Sequence, residues 1–217
     1  MGAQISYPCA VLGAGEIVDY ARVTAFLPPG VFVVCADGGL VHCEKLGLRP
    51  SLLIGDFDSL GVLPPPGIEC ITLAADKDYT DSFHAAEVAV ERGYTRLLLS
   101  GMLGGRLDHT LGNLQLLLKL AGQGAEALLT DGVTDVYALS GAGRLTVPNR
   151  DNCYFSVLSM GCCEGVAIAG GKYQLEGYAL RADDPRAVSN EFAGRDVVVS
   201  QRAGQLVVVS QPKNLSL

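Results

Sequence analysis

The chain has no tryptophan, three histidines among its 217 residues, and fewer basic than acidic side chains. Each shortage excludes something. Without an indole, none can stack on a ligand. Sixteen Lys and Arg against 23 Asp and Glu leave a formal net charge of -7, which argues against nucleic acid as a partner, because that needs basic patches. An anionic nucleotide remains compatible with this charge if a divalent ion screens the carboxylates. The seven cysteines form no Cys-x-x-Cys pair, and Cys162 and Cys163 are adjacent, which suits neither a disulfide framework nor a zinc site. Cys9 and Cys35 lie in apolar runs and read as reduced core residues, so a cytoplasmic setting is expected. No apolar run approaches membrane-spanning length, and no membrane partner is expected. The first residues lack the basic start and apolar stretch of a signal peptide. Met1-Gly2 with Ser6 meets only the loose acylation pattern and reads as chance. There is no Gly-Lys-Ser/Thr phosphate loop. Gly13-Ala14-Gly15 lacks the Gly-x-Gly-x-x-Gly spacing and reads as a strand-to-helix turn, with a backbone phosphate contact left open.

What is present is a core. The chain is 49% hydrophobic and 18% charged, a balance that predicts packing rather than disorder. Residues 1–132 alternate strand-like and helix-like segments. Strands are expected at Cys9–Leu12, Val31–Ala36, Leu52–Gly55, Ile68–Leu73, Arg96–Ser100 and Ala127–Thr130. Helical spacing runs from Leu40 to Leu46, from Thr80 or Asp81 to about Arg92, and from Thr110 to Ala121, each stopped by glycine. This alternation predicts an α/β domain with a mainly parallel sheet. From residue 133 the period changes. Short strand-like runs separated by Gly, Pro or Asn, and a hairpin signal at Ala203-Gly204, predict a smaller all-β sandwich over 133–217.

The chemistry gathers at strand ends. Val31–Ala36 leads into Asp37-Gly38-Gly39, and Leu52–Ile54 leads into Gly55-Asp56-Phe57-Asp58-Ser59. Ile71–Leu73 precedes Asp76-Lys77-Asp78-Tyr79-Thr80-Asp81. Leu97–Leu99 leads toward Gly104-Gly105-Arg106-Leu107-Asp108-His109. In an open parallel sheet such tips share one edge, where ligands bind. Asp56 and Asp58, two apart in extended backbone, point to the same side and can share a metal ion. Repulsion among Asp76, Asp78 and Asp81 would be relieved by a cation: Lys77 is one, and it can equally touch a phosphate. Thr80 suits a helix cap. Arg106 can clamp phosphate oxygens, and Asp108 can ligate metal or accept a hydroxyl proton. His109 reads as a helix-start residue, while His42 and His84 carry no partner motif and read as structural or exposed. Ser189-Asn190-Glu191-Phe192 reads as a capped turn, and Gly171-Lys172-Tyr173 as an ordinary strand start.

Taken in order, Cys35–Gly39, Gly55–Ser59, Lys77–Asp81, Gly105–His109 and Ser189–Phe192 resemble the thiamine pyrophosphokinase family. The resemblance implies an N-terminal α/β catalytic domain, a C-terminal β-sandwich that binds thiamine and dimerises, and a thiamine site shared between the two subunits of a homodimer. It implies that Asp56, Asp58 and Asp81 form the magnesium and ATP group, and that Asp37 and Asp108 are the remaining acidic members. Thr80, Ser189 and Asn190 are implied near thiamine. The chain departs from the family at Gln174, where proline is frequent, and in lacking the tryptophan that some relatives place on the thiamine ring. The implied reaction moves the β,γ-pyrophosphoryl unit of ATP onto the hydroxyethyl oxygen of thiamine, with Asp81 or Asp108 taking the proton. Two rivals remain at this point. One is a haloacid dehalogenase-like phosphatase with Asp56 as nucleophile and Asp58 as acid/base. The other is a non-catalytic nucleotide or thiamine sensor.

Overall fold

The structure, a computed structural model, describes residues 5–55, 66–73 and 79–214. Asp56, Asp58, Lys77, Asp76 and Asp78 lie outside the described residues. The chain divides into two compact units, Met1–Leu116 with Ala125–Gly132, and Leu117–Gly124 with Val133–Leu217.

The first unit is built on β1 (Cys9–Leu12), β2 (Phe32–Ala36), β3 (Leu52–Gly55), β4 (Glu69–Thr72), β5 (Arg96–Ser100) and β6 (Glu126–Thr130). All their pairings are parallel. They lie in the order β6-β5-β1-β2-β3-β4. Strands of such a sheet are covered on both faces, which is why they read as unbroken apolar runs rather than alternating ones. Every residue of β1 and β3 is buried, whereas β4 closes the edge and is largely exposed. The chain proceeds from β1 outward to β4, then returns to the far side of β1 with β5. That reversal makes the gap between the C-terminal ends of β1 and β5 a topological switch point, where open α/β sheets bind ligands.

Four helices belong to this alternation: α1 (Tyr20–Ala25), α2 (Leu40–Lys45), α3 (Asp81–Glu91) and α4 (Leu107–Gly122). The sequence reading missed α1, which is six residues long and buries only Val23, so it carries almost no apolar period. It also started α4 three residues late. The helix begins at Leu107, so Asp108 and His109 stand in its first turn rather than before it. α3 starts as expected, with the Thr80 hydroxyl accepting from the Phe83 N–H at 3.3 Å and Asp81 in the first turn. It packs on β1, β2 and β3 through Ala85, Ala86 and Ala89.

The second unit holds β7 (Asp135–Ser140), β8 (Gly143–Val147), β9 (Cys153–Ser159), β10 (Cys162–Ala169), β11 (Leu175–Arg181), β12 (Asn190–Glu191), β13 (Val197–Gln201) and β14 (Gln205–Pro212). Antiparallel pairing sets them in the orders β12-β9-β14-β7 and β11-β10-β13-β8. β9 and β13 alternate buried and partly exposed positions, the pattern of strands with one face in a core. Phe155, Val157, Val166, Ile168, Val199 and Leu206 meet in that core. Each such side chain contributes about 1.5–3 kcal/mol when fully buried. Gly171-Lys172-Tyr173 does not open a strand as expected: β11 begins at Leu175, and Gly171 instead makes an isolated bridge to Phe192. The buried Asp135 carboxylate is met by Arg150 at 3.1 Å, and the same guanidinium donates to the carbonyls of Val133 and Ser210. Cys9, Cys35, Cys43, Cys153 and Cys163 are buried free thiols.

Candidate active site

A cavity of about 370 Å³ opens in the first unit at the switch point. Its lining comes from the turns after β1, β2 and β5, from the start of α3, and from His109 and Asn113 on α4. It brings together Asp37, Thr80, Asp81 and Arg106, four of the residues singled out from sequence.

The walls approach at backbone distance. Gly13 donates its N–H to the Ser100 carbonyl at 2.9 Å, and Gly15 donates to the Gly101 carbonyl at 2.7 Å. A Cβ on Gly101 would stand 2.5 Å from the Gly13 carbonyl oxygen, and its φ of +70° is one that other residues avoid. The Gly13-Ala14-Gly15 turn is thus narrow because glycine on both sides lets two backbones touch.

Asp37 sits at the end of β2 with φ at 48°, a left-handed conformation that Asp tolerates better than most residues. Its carboxylate lies against β3: a Cβ on Gly55 would be 2.5 Å from Oδ1. The chain leaves β3 at that glycine and passes directly into Asp56. Backbone strain of this kind gathers at functional positions. Asp81 enters from the first turn of α3, where the helix dipole favours negative charge.

Arg106 reaches the cavity from the turn after β5. In this structure it forks onto Asp108, with Nε and Nη2 donating to the two carboxylate oxygens at 3.1 and 2.6 Å. Both side chains are more than half exposed. The guanidinium beside Asp108 holds its carboxyl down at about 2. Asp108 also accepts from the His109 N–H at 3.0 Å, so it serves its own helix start. It does not line the cavity, whereas His109 does.

Sequence reasoning passed over Ser82, Met102 and Asn113, which also line the cavity. Asn113 is 8% exposed and donates from Nδ2 to the Met102 carbonyl at 2.8 Å, tying α4 to the turn after β5. The signal that was available is an asparagine among Leu111, Leu114, Leu116, Leu117 and Leu118 on a strongly apolar helix, since an amide buried there needs a partner.

Ser189 and Asn190 lie in the second unit. Ser189 has φ at 57° and is exposed, with its N–H donating to Ser156 Oγ at 3.0 Å. Asn190 is 3% exposed, and its amide grips the Tyr173 backbone: Oδ1 accepts from the Tyr173 N–H at 3.0 Å and Nδ2 donates to the Tyr173 carbonyl at 2.6 Å, while Oδ1 also accepts from the Glu191 N–H at 2.8 Å. The Tyr173 ring itself is 61% exposed. Beside it Glu191 is held at about 2 by Lys172 and Lys213.

As for metals, no group of three or more His, Cys, Asp or Glu that could hold an ion occurs among the described residues. The observed donors are the Asp37 and Asp81 carboxylates on one cavity, with Gly55 leading into Asp56 and Asp58. Such an all-oxygen set suits a hard divalent cation.

Comparison with known proteins agrees with this geometry. The family model described as "Thiamin pyrophosphokinase, catalytic domain" matches residues 27–129. The one described as "Thiamin pyrophosphokinase, vitamin B1 binding domain" matches residues 144–206. A curated thiamine pyrophosphokinase of Bacillus subtilis (strain 168) is 26% identical over 194 residues, covering 86% of this chain and 90% of that protein. Among solved structures, a thiamine pyrophosphokinase of Bacillus subtilis superposes with a TM-score of 0.83 at 22% identity, covering 95% of this chain and 99% of that one. The thiamin pyrophosphokinase of Geobacillus thermodenitrificans gives 0.81 at 27% identity, covering 96% and 99%. With the two family models spanning most of its length, and most of the residues that line its switch-point cavity lying within the first of them, this chain belongs to the thiamin pyrophosphokinase family.

Proposed function

We propose that the protein transfers pyrophosphate from ATP to the hydroxyethyl group of thiamine, giving thiamine diphosphate and AMP. The observation that carries this reading is the convergence of Asp37, Thr80, Asp81 and Arg106 on one switch-point cavity in a chain of this family. The thiamine hydroxyl oxygen bonds to the β-phosphorus, the bond from that phosphorus to the α-phosphate bridging oxygen breaks, and AMP leaves. Most of the acceleration comes from alignment and charge neutralisation. Arg106 exchanges Asp108 for phosphate oxygens, a swap open to an exposed, forked guanidinium. Asp81 takes the hydroxyl proton. Asp108, which does not line the cavity, is the weaker candidate for this role.

Magnesium is the metal that fits this reading, with Asp56, Asp58 and Asp81 as its holders and Asp37 and Lys77 beside the nucleotide. When bound it supplies neutralisation of the polyphosphate charge. Thiamine is assigned to the second unit, in line with the match of residues 144–206 to a vitamin B1 binding domain. There Tyr173, exposed and gripped by Asn190, is the aromatic ring suited to stack on thiamine in a chain without tryptophan. Asn190 would then act through Tyr173, and Ser189 directly. Residues 1–132 would form the catalytic domain and 133–217 the thiamine-binding and dimerisation domain of a cytoplasmic homodimer.

The test is product analysis. With ATP, magnesium and thiamine, AMP and thiamine diphosphate should form in equal amounts, and AMP formation should cease when thiamine is omitted. Phosphate release independent of thiamine would favour the phosphatase reading, which the family matches do not support. Binding without turnover would favour a sensor.

A further inference from the structure

Beside the exposed Tyr173, the second unit gathers two ammonium groups on one carboxylate, a charge cluster that the reaction itself does not use. Backbone pairing builds it. Gly171 bridges Phe192 in the antiparallel sense, the Lys172 N–H donates to the Glu191 carbonyl at 2.8 Å, and Asn190 bonds both backbone groups of Tyr173. Gly171 has no room for a side chain, since a Cβ there would stand 2.7 Å from Phe155 Cζ. Lys172 and Glu191 are thus neighbours across the pairing, and Lys172 Nζ donates to Glu191 Oε1 at 2.7 Å. Lys213, just past β14, donates from Nζ to the other carboxylate oxygen.

Both ammonium groups also stand over aromatic rings. Lys172 Nζ is 5.4 Å from the Tyr173 ring centroid, and Lys213 Nζ is 5.1 Å from that of Tyr154. A ring face attracts cations, so Lys172 stands where a cationic ligand would also be drawn. Thiamine is such a ligand, because its thiazolium ring bears a permanent positive charge. Two lysines beside it repel that charge, and Glu191, bonded to both, opposes the repulsion. The lysines hold the Glu191 carboxyl at about 2, so its negative charge is in place at neutral pH. Near a protein surface, one unit charge within a side chain's length changes the affinity of a cation by roughly tenfold.

We propose that Glu191 is a specificity-determining residue for the cationic substrate: by offsetting the charges of Lys172 and Lys213, it lets the Tyr173 face accept the thiazolium of thiamine. The proposal rests on the reading that thiamine binds at Tyr173. Glu191 acts through Lys172 and Lys213, so it is a positioning residue rather than a catalytic one. Its effect falls on thiamine and leaves ATP untouched, and it follows the charge of the ligand rather than its shape.

The test is calorimetric titration of thiamine, and of an analogue with an uncharged thiophene in place of the thiazolium, at low and high salt. The proteins are wild type, Glu191→Gln, Lys172→Met and the double variant, with KM values measured for both substrates. Glu191→Gln should weaken thiamine binding and raise KM for thiamine by about tenfold, with KM for ATP unchanged and analogue affinity within about twofold of wild type. The loss should shrink at high salt, because screening weakens repulsion between exposed charges. Lys172→Met should tighten thiamine binding by itself and recover part of the loss in the double variant. Equal losses for thiamine and the analogue, or a loss that neither salt nor Lys172→Met relieves, would mean a merely structural carboxylate and overturn the proposal. So would wild-type thiamine affinity in Glu191→Gln. Where Glu191→Gln does not fold, Lys172→Met decides: thiamine affinity no tighter than wild type overturns it. A Tyr173→Ala variant with wild-type KM for thiamine overturns the placement of thiamine at Tyr173 itself, and the proposal falls with it.

Discussion

At the scale of single residues, the carboxylates proposed for the site have different surroundings. Asp37 takes a left-handed backbone conformation and abuts Gly55, Asp81 enjoys a helix N-terminus, and Asp108 is neutralised by Arg106. These differences predict different responses to removal of charge. Asp56→Asn, Asp58→Asn and Asp81→Asn should each lower turnover by about a hundredfold or more, because charge placed for the reacting phosphates is lost. Circular dichroism and melting temperature should stay near wild type for these polar, near-isosteric changes. Turnover of all three within twofold of wild type at saturating magnesium would refute the assignment. Asp81 was legible as a candidate because helix-start chemistry is local in sequence. The pairing of Asp108 with Arg106 was not, since neighbours two apart meet or part according to side-chain rotamer rather than spacing.

At the scale of elements, two devices stand out. One is the crossing of the turns after β1 and β5, where Gly101 has φ at +70° and no room for a Cβ. Gly101→Ala should therefore cost about 1–3 kcal/mol in stability and raise KM for ATP more than KM for thiamine. Denaturant unfolding and steady-state kinetics measure the two effects. The other is the grip on β12 by Glu191, with Lys172 at 2.7 Å and Lys213 on the other carboxylate oxygen. Its pKa is depressed from the ordinary 4.5 to about 2, so the unfolded chain takes up the proton first as pH falls. The stability this pairing contributes is complete above about pH 4.5 and is lost between there and about pH 2. Glu191→Gln should flatten that part of the acid unfolding curve and leave the neutral region parallel to wild type. The strands themselves were readable because buried parallel strands are continuous apolar runs. α1 was not, since six residues with one buried position give no period.

At the scale of the whole molecule, the chain pairs a parallel α/β unit with an antiparallel sandwich, in the order of the two family models. No helix among the described residues is long and apolar enough to cross a membrane. A nucleotide enzyme with net charge -7 needs a counterion before it can accept a polyphosphate. Treatment with a chelator should thus abolish AMP formation, and added magnesium should restore it. Activity that persists after exhaustive chelation would remove the metal from the reading. Light scattering coupled to gel filtration should give twice the chain mass of 22.7 kDa if the protein is the proposed homodimer.

By itself the sequence determined the alternation of elements, the change to short strands after residue 132, and the ordered acidic motifs that mark the family. Those signals are local, because apolar period, capping and turn chemistry are written within a few residues of where they act. Only the tertiary structure decided that Gly15, Asp37, Asp81 and Arg106 share one cavity, and that the Asn190 amide bonds both backbone groups of Tyr173. Strand order does this. When the chain folds back so that β5 lies beside β1, residues far apart in sequence come to one sheet edge, and no periodicity within the chain records which strands become neighbours.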